Sequence, residues 1–227
     1  MEILTDIPVR VDPEAASRRL RFGPGQGFAS LDELLGVAVP LVNLRAMTGV
    51  AYTGAKREDR VEVGGVLFRS RVLRANLDPV QKVFPFIMTV GAELENKAAA
   101  SGDLLQQYYL EEAANLILEG GAAWLGGSLS ERWGLGPLSA MSPGSLEDWP
   151  ITEQPKLFSL FGDTQRLIGV ELTTSLLMLP RKSISGIFFP SEEGFLSCRL
   201  CERSDCPARK APYDEGTARQ AGIRSSD

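Results

Sequence analysis

The chain has 227 residues, with 24 Lys and Arg against 29 Asp and Glu, a formal charge of −5; 44% of it is hydrophobic and 23% charged. That globular mixture is long enough for one large core or two small ones, and an acidic balance without a basic stripe argues against a nucleic-acid partner. No stretch reaches the ~18 apolar residues of a membrane span, the start MEILTDIPVRVDPE is too acidic for a signal peptide, and the lack of any histidine removes Ser–His and Cys–His nucleophile pairs and every His-containing zinc site.

Residues 2–12 place Ile3, Ile7, Val9 and Val11 in a loose alternation that predicts a strand. Pro13 opens a short polar helix that the glycines of GPGQG (23–27) end; that cluster lacks the spacing of a phosphate cradle and reads as a loop. Ser30 and Glu33 form a capping-box pair ahead of Leu31, Leu34, Leu35 and Ala38 at helical spacing, and Pro40 stops that helix. From Val50 to Leu77 the pattern is β, with Gly64-Gly65 a bulge or bend. Val83 to Val90 is a buried strand, and Gly91 leads into a helix, AELENKAAA.

Asp103 caps a long helix whose stripe of Leu105, Tyr109, Ala113, Leu116, Ile117 and Trp124 faces a core. Gly120-Gly121 weakens that helix, so close packing is expected there. The adjacent acids Glu111-Glu112 and Glu192-Glu193 read as solvated faces. Residues 133–152 form a structured loop rich in Gly, Pro and Ser, followed by a short helix from Glu153 to Phe161. The stretch IGVELTTSLLMLPRKSISGIFF is strand-like at both ends with Pro180 between, and the chain beyond Pro207 is a solvated tail.

The only three cysteines lie in Cys198-x2-Cys201-x4-Cys206-Pro. An odd, clustered set is a poor disulfide framework, whereas soft thiolates on a turn can converge on zinc or an iron–sulfur cluster, with a fourth ligand from Asp205, Glu202, water or a second chain in a homo-oligomer. Three ordinary free thiols are the other reading.

The window from Leu172 to Phe189 carries Leu172, Thr173, Ser175, Met178, Pro180, Ser183, Ser185, Gly186 and Phe189 without a gap on the pattern L-T-E-S-x-A-M-x-P-x-x-S-V-S-G-x-Y-F. In this it resembles the activation domain of cobalamin-dependent methionine synthase. Free-standing members of that family also end in C-x2-C-x4-C-x2-R, as Cys198, Cys201, Cys206 and Arg209 do here, and Thr89-Val90-Gly91 is similar to their T-I-G turn. The likeness is close over about residues 140–213 and looser over 83–134.

The resemblance implies an α+β fold, an antiparallel sheet with packed helices. Residues 1–135 would form an N-terminal α+β part, 136–206 the motif region ending in the cysteines, and 207–227 a polar tail, in one compact cytoplasmic domain. It also implies reactivation of a corrinoid protein, methionine synthase or another cobalamin-dependent methyltransferase, by reduction or by S-adenosylmethionine-dependent methylation of the cobalt. The corrinoid would belong to the partner, since no histidine is present to ligate one. Ser142, Pro143, Gly144, Ser183, Ser185 and Gly186 would face the corrinoid or the nucleoside, and Cys198, Cys201 and Cys206 would hold an iron–sulfur cluster or zinc. Where the family reads R-x-x-P-G-Y against the sulfonium ligand, this chain has Ala140 and Ser145, which removes the arginine fork that would take a carboxylate. The alternative is a non-enzymatic metal-binding module that binds a corrinoid or a partner protein.

Overall fold

A computed structural model describes residues 1–22, 27–192, 194–206 and 209–220. The chain runs β1 (Glu2–Leu4), α1 (Pro13–Arg19), α2 (Leu31–Ala38), β2 (Arg45–Thr48), β3 (Ala51–Arg57), β4 (Arg60–Val63), β5 (Val66–Arg69), α3 (Arg71–Asn76), β6 (Lys82–Thr89), α4 (Glu93–Ala99), α5 (Leu104–Trp133), β7 (Leu138–Met141), α6 (Gln154–Phe158), α7 (Thr164–Ile168), β8 (Glu171–Leu172), β9 (Met178–Leu179), β10 (Ser183–Pro190) and α8 (Glu215–Gln220).

Strand β6 is the hub of an eight-stranded antiparallel sheet. On one edge β2 pairs with its second half and β3 with its start, while β10 runs along the other edge from Ser183↔Thr89 to Phe188↔Phe84. Pro85 has no N–H to give, and it falls at the break between the β2 and β3 pairings, where Thr48 Oγ1 donates to its carbonyl at 3.0 Å. β1 extends β2, β4 and β5 extend β3, and β7 extends β10.

Both faces of this sheet are covered, which is why β6 reads as an unbroken apolar run rather than an alternation. Phe84, Phe86 and Met88 face a core built with α1, α2, α4 and α5; Val83 and Ile87 face a second core with α3, α6 and α7. The glycines of α5 make its close packing possible. A Cβ at Gly120 would lie 1.8 Å from the Arg10 carbonyl oxygen, and one at Gly121 would lie 3.1 Å from Met88 Sδ. The close approach expected at Gly120-Gly121 is therefore present. Among the described residues no helix is long and apolar enough to cross a membrane.

Several local expectations hold in detail. Ser30 Oγ accepts from Glu33 N–H at 3.2 Å, and the Glu33 carboxylate reaches back to Ala29 N–H at 2.7 Å. Asp103 Oδ1 accepts from Leu105 N–H at 2.8 Å and heads the 30-residue α5.

Others are overturned. The β pattern from Val50 to Leu77 stops at Arg69, because Ser70 Oγ accepts from Leu73 N–H at 2.9 Å and caps α3; Val72 and Leu73 are buried from a helix. Gly64-Gly65, both at positive φ (+58° and +83°), is a two-residue type I′ hairpin turn between β4 and β5, so of the two alternatives the bend holds and the bulge does not. The strand expected over residues 2–12 is confined to β1, and the loop expected at 133–152 contains β7. The tail beyond Pro207 contains α8, whose Ala218 is fully buried beneath the sheet, with Tyr213 packed beside it. Residues 23–26 of the GPGQG loop, Glu193 and residues 207–208 and 221–227 lie outside the described residues.

Candidate functional site

Between α5 and the β6–β10–β7 side of the sheet lies a cavity of about 510 Å³, within the usual range for a small-molecule site. One wall is apolar: Phe86, Phe188, Ile184, Leu118, Ala122 and Ala140. The Phe86 and Phe188 rings stack with centroids 4.2 Å apart, and Phe188 lies against α5 at Gly126, where a Cβ would come within 3.2 Å of the ring. Beside Leu118 and Ala122, the same helix α5 also carries charge into the lining. Glu112, Asn115 and Glu119 recur at three- and four-residue intervals along one face of α5, and Arg19 reaches them from the end of α1.

Arg19 donates to both Glu119 oxygens, at 2.9 and 3.0 Å, and lies 3.8 Å from Glu112; its side chain is only 7% exposed. Glu112 and Glu119 are the carboxylates of the lining, and Arg19 and Lys210 are its cations. Asn115 donates to Glu112 at 2.8 Å and accepts from Lys182 Nζ at 3.0 Å. Lys182 and Arg181 in turn reach Glu111, at 3.4 and 3.3 Å, and Arg181 also pairs with Glu95 at 2.6 Å. Burial pushes the Glu111 carboxyl up, but Lys182 and Arg181 together outweigh it and hold the group below its ordinary value.

The sequence-derived site residues divide. Ser142 and Ser183 both line the cavity. Gly186 sits beside Ser142, and a Cβ there would meet Met141 O at 2.4 Å and Ser142 Oγ at 2.9 Å, so glycine is what lets β7 and β10 come together at this point. Ser185 is buried and takes a long hydrogen bond, 3.4 Å, from Gln154 Nε2, away from the cavity lining.

Pro143 and Gly144 are the central residues of a type II turn, with Ser145 N–H donating to Ser142 O at 3.1 Å and Gly144 at φ +83°. Gly144 N–H donates to Trp149 O at 2.7 Å, so the turn fastens the loop that buries Trp149 and brings Asp148 to the N-terminus of α3. Ser142 alone of that segment reaches the cavity. Glu112, expected on a solvated face, is instead an inward-facing member of the cavity lining, 15% exposed; its place in the Glu112-x2-Asn115-x3-Glu119 spacing is the signal that could have found it.

The three thiols are not brought together. Cys198 Sγ accepts from Lys210 N–H at 3.4 Å, and Cys201 packs against the core beneath the sheet. Among the described residues no group of three His, Cys, Asp or Glu side chains could hold a metal ion. The loop is organised by Arg209. Its Nη1 donates to the carbonyls of Cys198 (3.1 Å) and Ala211 (2.9 Å), and its Nη2 donates to those of Cys201 (2.8 Å) and Arg203. Lys210, the next residue, enters the cavity lining.

A second recess of about 640 Å³, around Asp59, Arg69, Asp148 and Glu153, is mostly polar. Its two most buried carboxylates are already engaged by backbone: Glu153 takes Arg69 N–H and Asp148 takes Val72 N–H, each at 2.9 Å. They hold the fold, and the cavity under α5 is the better candidate site.

No protein-family model and no protein of curated function matches the chain. Among solved structures it is similar to the crystal structure of the MetH reactivation domain bound to AdoHcy, with a TM-score of 0.56 and 17% sequence identity over 70% of this chain and 63% of that one. Less than two thirds of that neighbour thus has a counterpart here, and at this identity the likeness is one of fold. Helices packed on a mixed-order antiparallel sheet give this chain the fold of the MetH reactivation domain.

Proposed function

We propose that the chain reactivates a corrinoid protein, a cobalamin-dependent methyltransferase such as methionine synthase, by binding S-adenosylmethionine in the cavity under α5 and presenting its methyl group to the partner's cobalt. In the balanced step an external one-electron donor reduces oxidised cob(II)alamin. The methyl then leaves the sulfonium as a cation, a carbon–cobalt bond forms, and S-adenosylhomocysteine remains. The observation that carries the reading is one cavity lined by both aromatic and aliphatic side chains and the carboxylates Glu112 and Glu119. A flat apolar face suits an adenine, and Glu112 and Glu119 suit a sulfonium, an ammonium or ribose hydroxyls. Support also comes from the fold, since the similar solved domain is bound to AdoHcy.

The alternative, a metal-binding module, draws no support from the geometry, because Cys198, Cys201 and Cys206 do not converge. The test is calorimetric titration with S-adenosylhomocysteine, followed by the visible spectrum of cob(II) methionine synthase mixed with the chain, S-adenosylmethionine and a one-electron reductant. Saturable binding and conversion to the methylcobalamin spectrum are expected. A chain that binds neither nucleoside, or cobalt that stays cob(II), overturns the proposal.

A further inference from the structure

We infer that the C-terminal cysteine loop belongs to the ligand site, and that Lys210 is the specificity-determining cation that takes the ligand's carboxylate. This rests on the reading above and names which group of this chain meets the amino-acid end of the nucleoside. Two cations line the cavity near the α5 acids and the loop, Arg19 and Lys210. Arg19 is engaged by both Glu119 oxygens and lies near Glu112, so its charge is already compensated. Lys210 makes no ion pair among the described residues and stands at the exposed rim, where a free carboxylate can reach it. Ala140, on the same lining, offers no charge.

The loop is built to hold Lys210 in place. Just before it in sequence Arg209 gathers four carbonyl oxygens with a rigid planar fork, and the backbone N–H of Lys210 itself donates to Cys198 Sγ. This gives the C-x2-C-x4-C-x2-R pattern a physical role. Its arginine ties the turns around Cys198 and Cys201 to one another and delivers the following lysine to the cavity.

The experiment compares S-adenosylmethionine with 5′-methylthioadenosine, which lacks the amino-acid carboxylate, by calorimetric titration on the full chain. Lys210→Ala should weaken S-adenosylmethionine about 5- to 10-fold, a charge-assisted contact discounted for an exposed lysine, and leave methylthioadenosine unchanged. Lys210→Arg should restore most of the loss, and Arg209→Gln should reproduce the selective loss. Equal weakening of both probes by Lys210→Ala, or of neither, overturns the assignment of Lys210. Arg209→Gln that folds normally and binds S-adenosylmethionine unchanged overturns the delivery role of the loop. A wild-type chain that binds neither probe instead overturns the reading of the cavity itself.

Discussion

Two of the four glycines of helix α5, Gly120 and Gly127, share a propensity penalty and differ in surroundings, so alanine at each separates the two terms. In a helix interior the change from glycine to alanine contributes about 1 kcal/mol of stability. At Gly127 a Cβ would meet nothing within 4 Å. That gain should be realised in full, raising Tm by about 2–4 °C for a chain of this size. At Gly120 the same Cβ would lie 1.8 Å from the Arg10 carbonyl oxygen, which must retreat by about 1.2 Å to reach even the 3.0 Å that real Cβ contacts respect. The moving group is backbone, so the strain should fall at or above the upper end of the usual overpacking range of about 1–3 kcal/mol. The net loss is then about 2 kcal/mol or more, at least roughly 4–8 °C in Tm. The displaced segment leads into α1, which carries Arg19, so S-adenosylhomocysteine binding should weaken in Gly120→Ala and not in Gly127→Ala. Urea unfolding followed by circular dichroism, with a titration on each variant, reads both effects. A Gly120→Ala protein as stable as Gly127→Ala would refute the packing of the N-terminal segment across α5.

Two further outcomes are expected. Cys201 is half-buried against the core beneath the sheet and Cys206 is not part of that cluster, so Cys201→Ser should cost up to about 1 kcal/mol by setting a hydroxyl against apolar neighbours, while Cys206→Ser should leave the urea midpoint within error; equal large losses at both would instead indicate that the thiols act as one unit. Glu111 is held below its ordinary value of about 4.5 by Lys182 and Arg181, so its contribution is complete above that pH and is lost as pH falls through the lower folded value. Glu111→Gln should therefore be less stable than wild type by about 0.5–1 kcal/mol at pH 7, with the gap closing below about pH 4.5 and shrinking in high salt. A gap that widens in acid would show the ion pairs to be misassigned.

Local signals in the chain predicted what local forces decide. Caps at Ser30 and Asp103 and the apolar run of β6 each depend on residues within a few positions, and each is where the pattern puts it. The misreadings come from equally local chemistry that an apolar pattern conceals. Val72 and Leu73 alternate well enough with polar neighbours to pass for a strand, but Ser70, closing on Leu73 N–H and itself bonded to Asp148 at 2.5 Å, turns the segment into α3. That second partner is 78 residues away and invisible to any window. α8 is hidden in the same way: its composition is that of a solvated tail, whereas the buried Ala218, the part-buried Tyr213 and the Asp214 N–H on the Arg199 carbonyl tie that segment to the fold.

The site was less legible than the fold because the motif window positions the cavity more than it lines it. Gly186 admits β7 against β10, Pro143-Gly144 fastens the Trp149 loop, and Arg181 and Lys182 anchor the segment between β9 and β10 to α4 and α5. Such residues can match a pattern closely because backbone geometry demands them, whatever ligand is bound. The charged groups of the cavity come from outside that window: Arg19 meets Glu119 across 100 residues of sequence, and Lys210 follows the cysteine loop. A close match over Leu172 to Phe189 therefore carries the fold with more authority than it carries the ligand. The uncharged Ala140 accordingly does not leave the cavity without cations, because the fold brings Arg19 and Lys210 to the same lining from opposite ends of the chain.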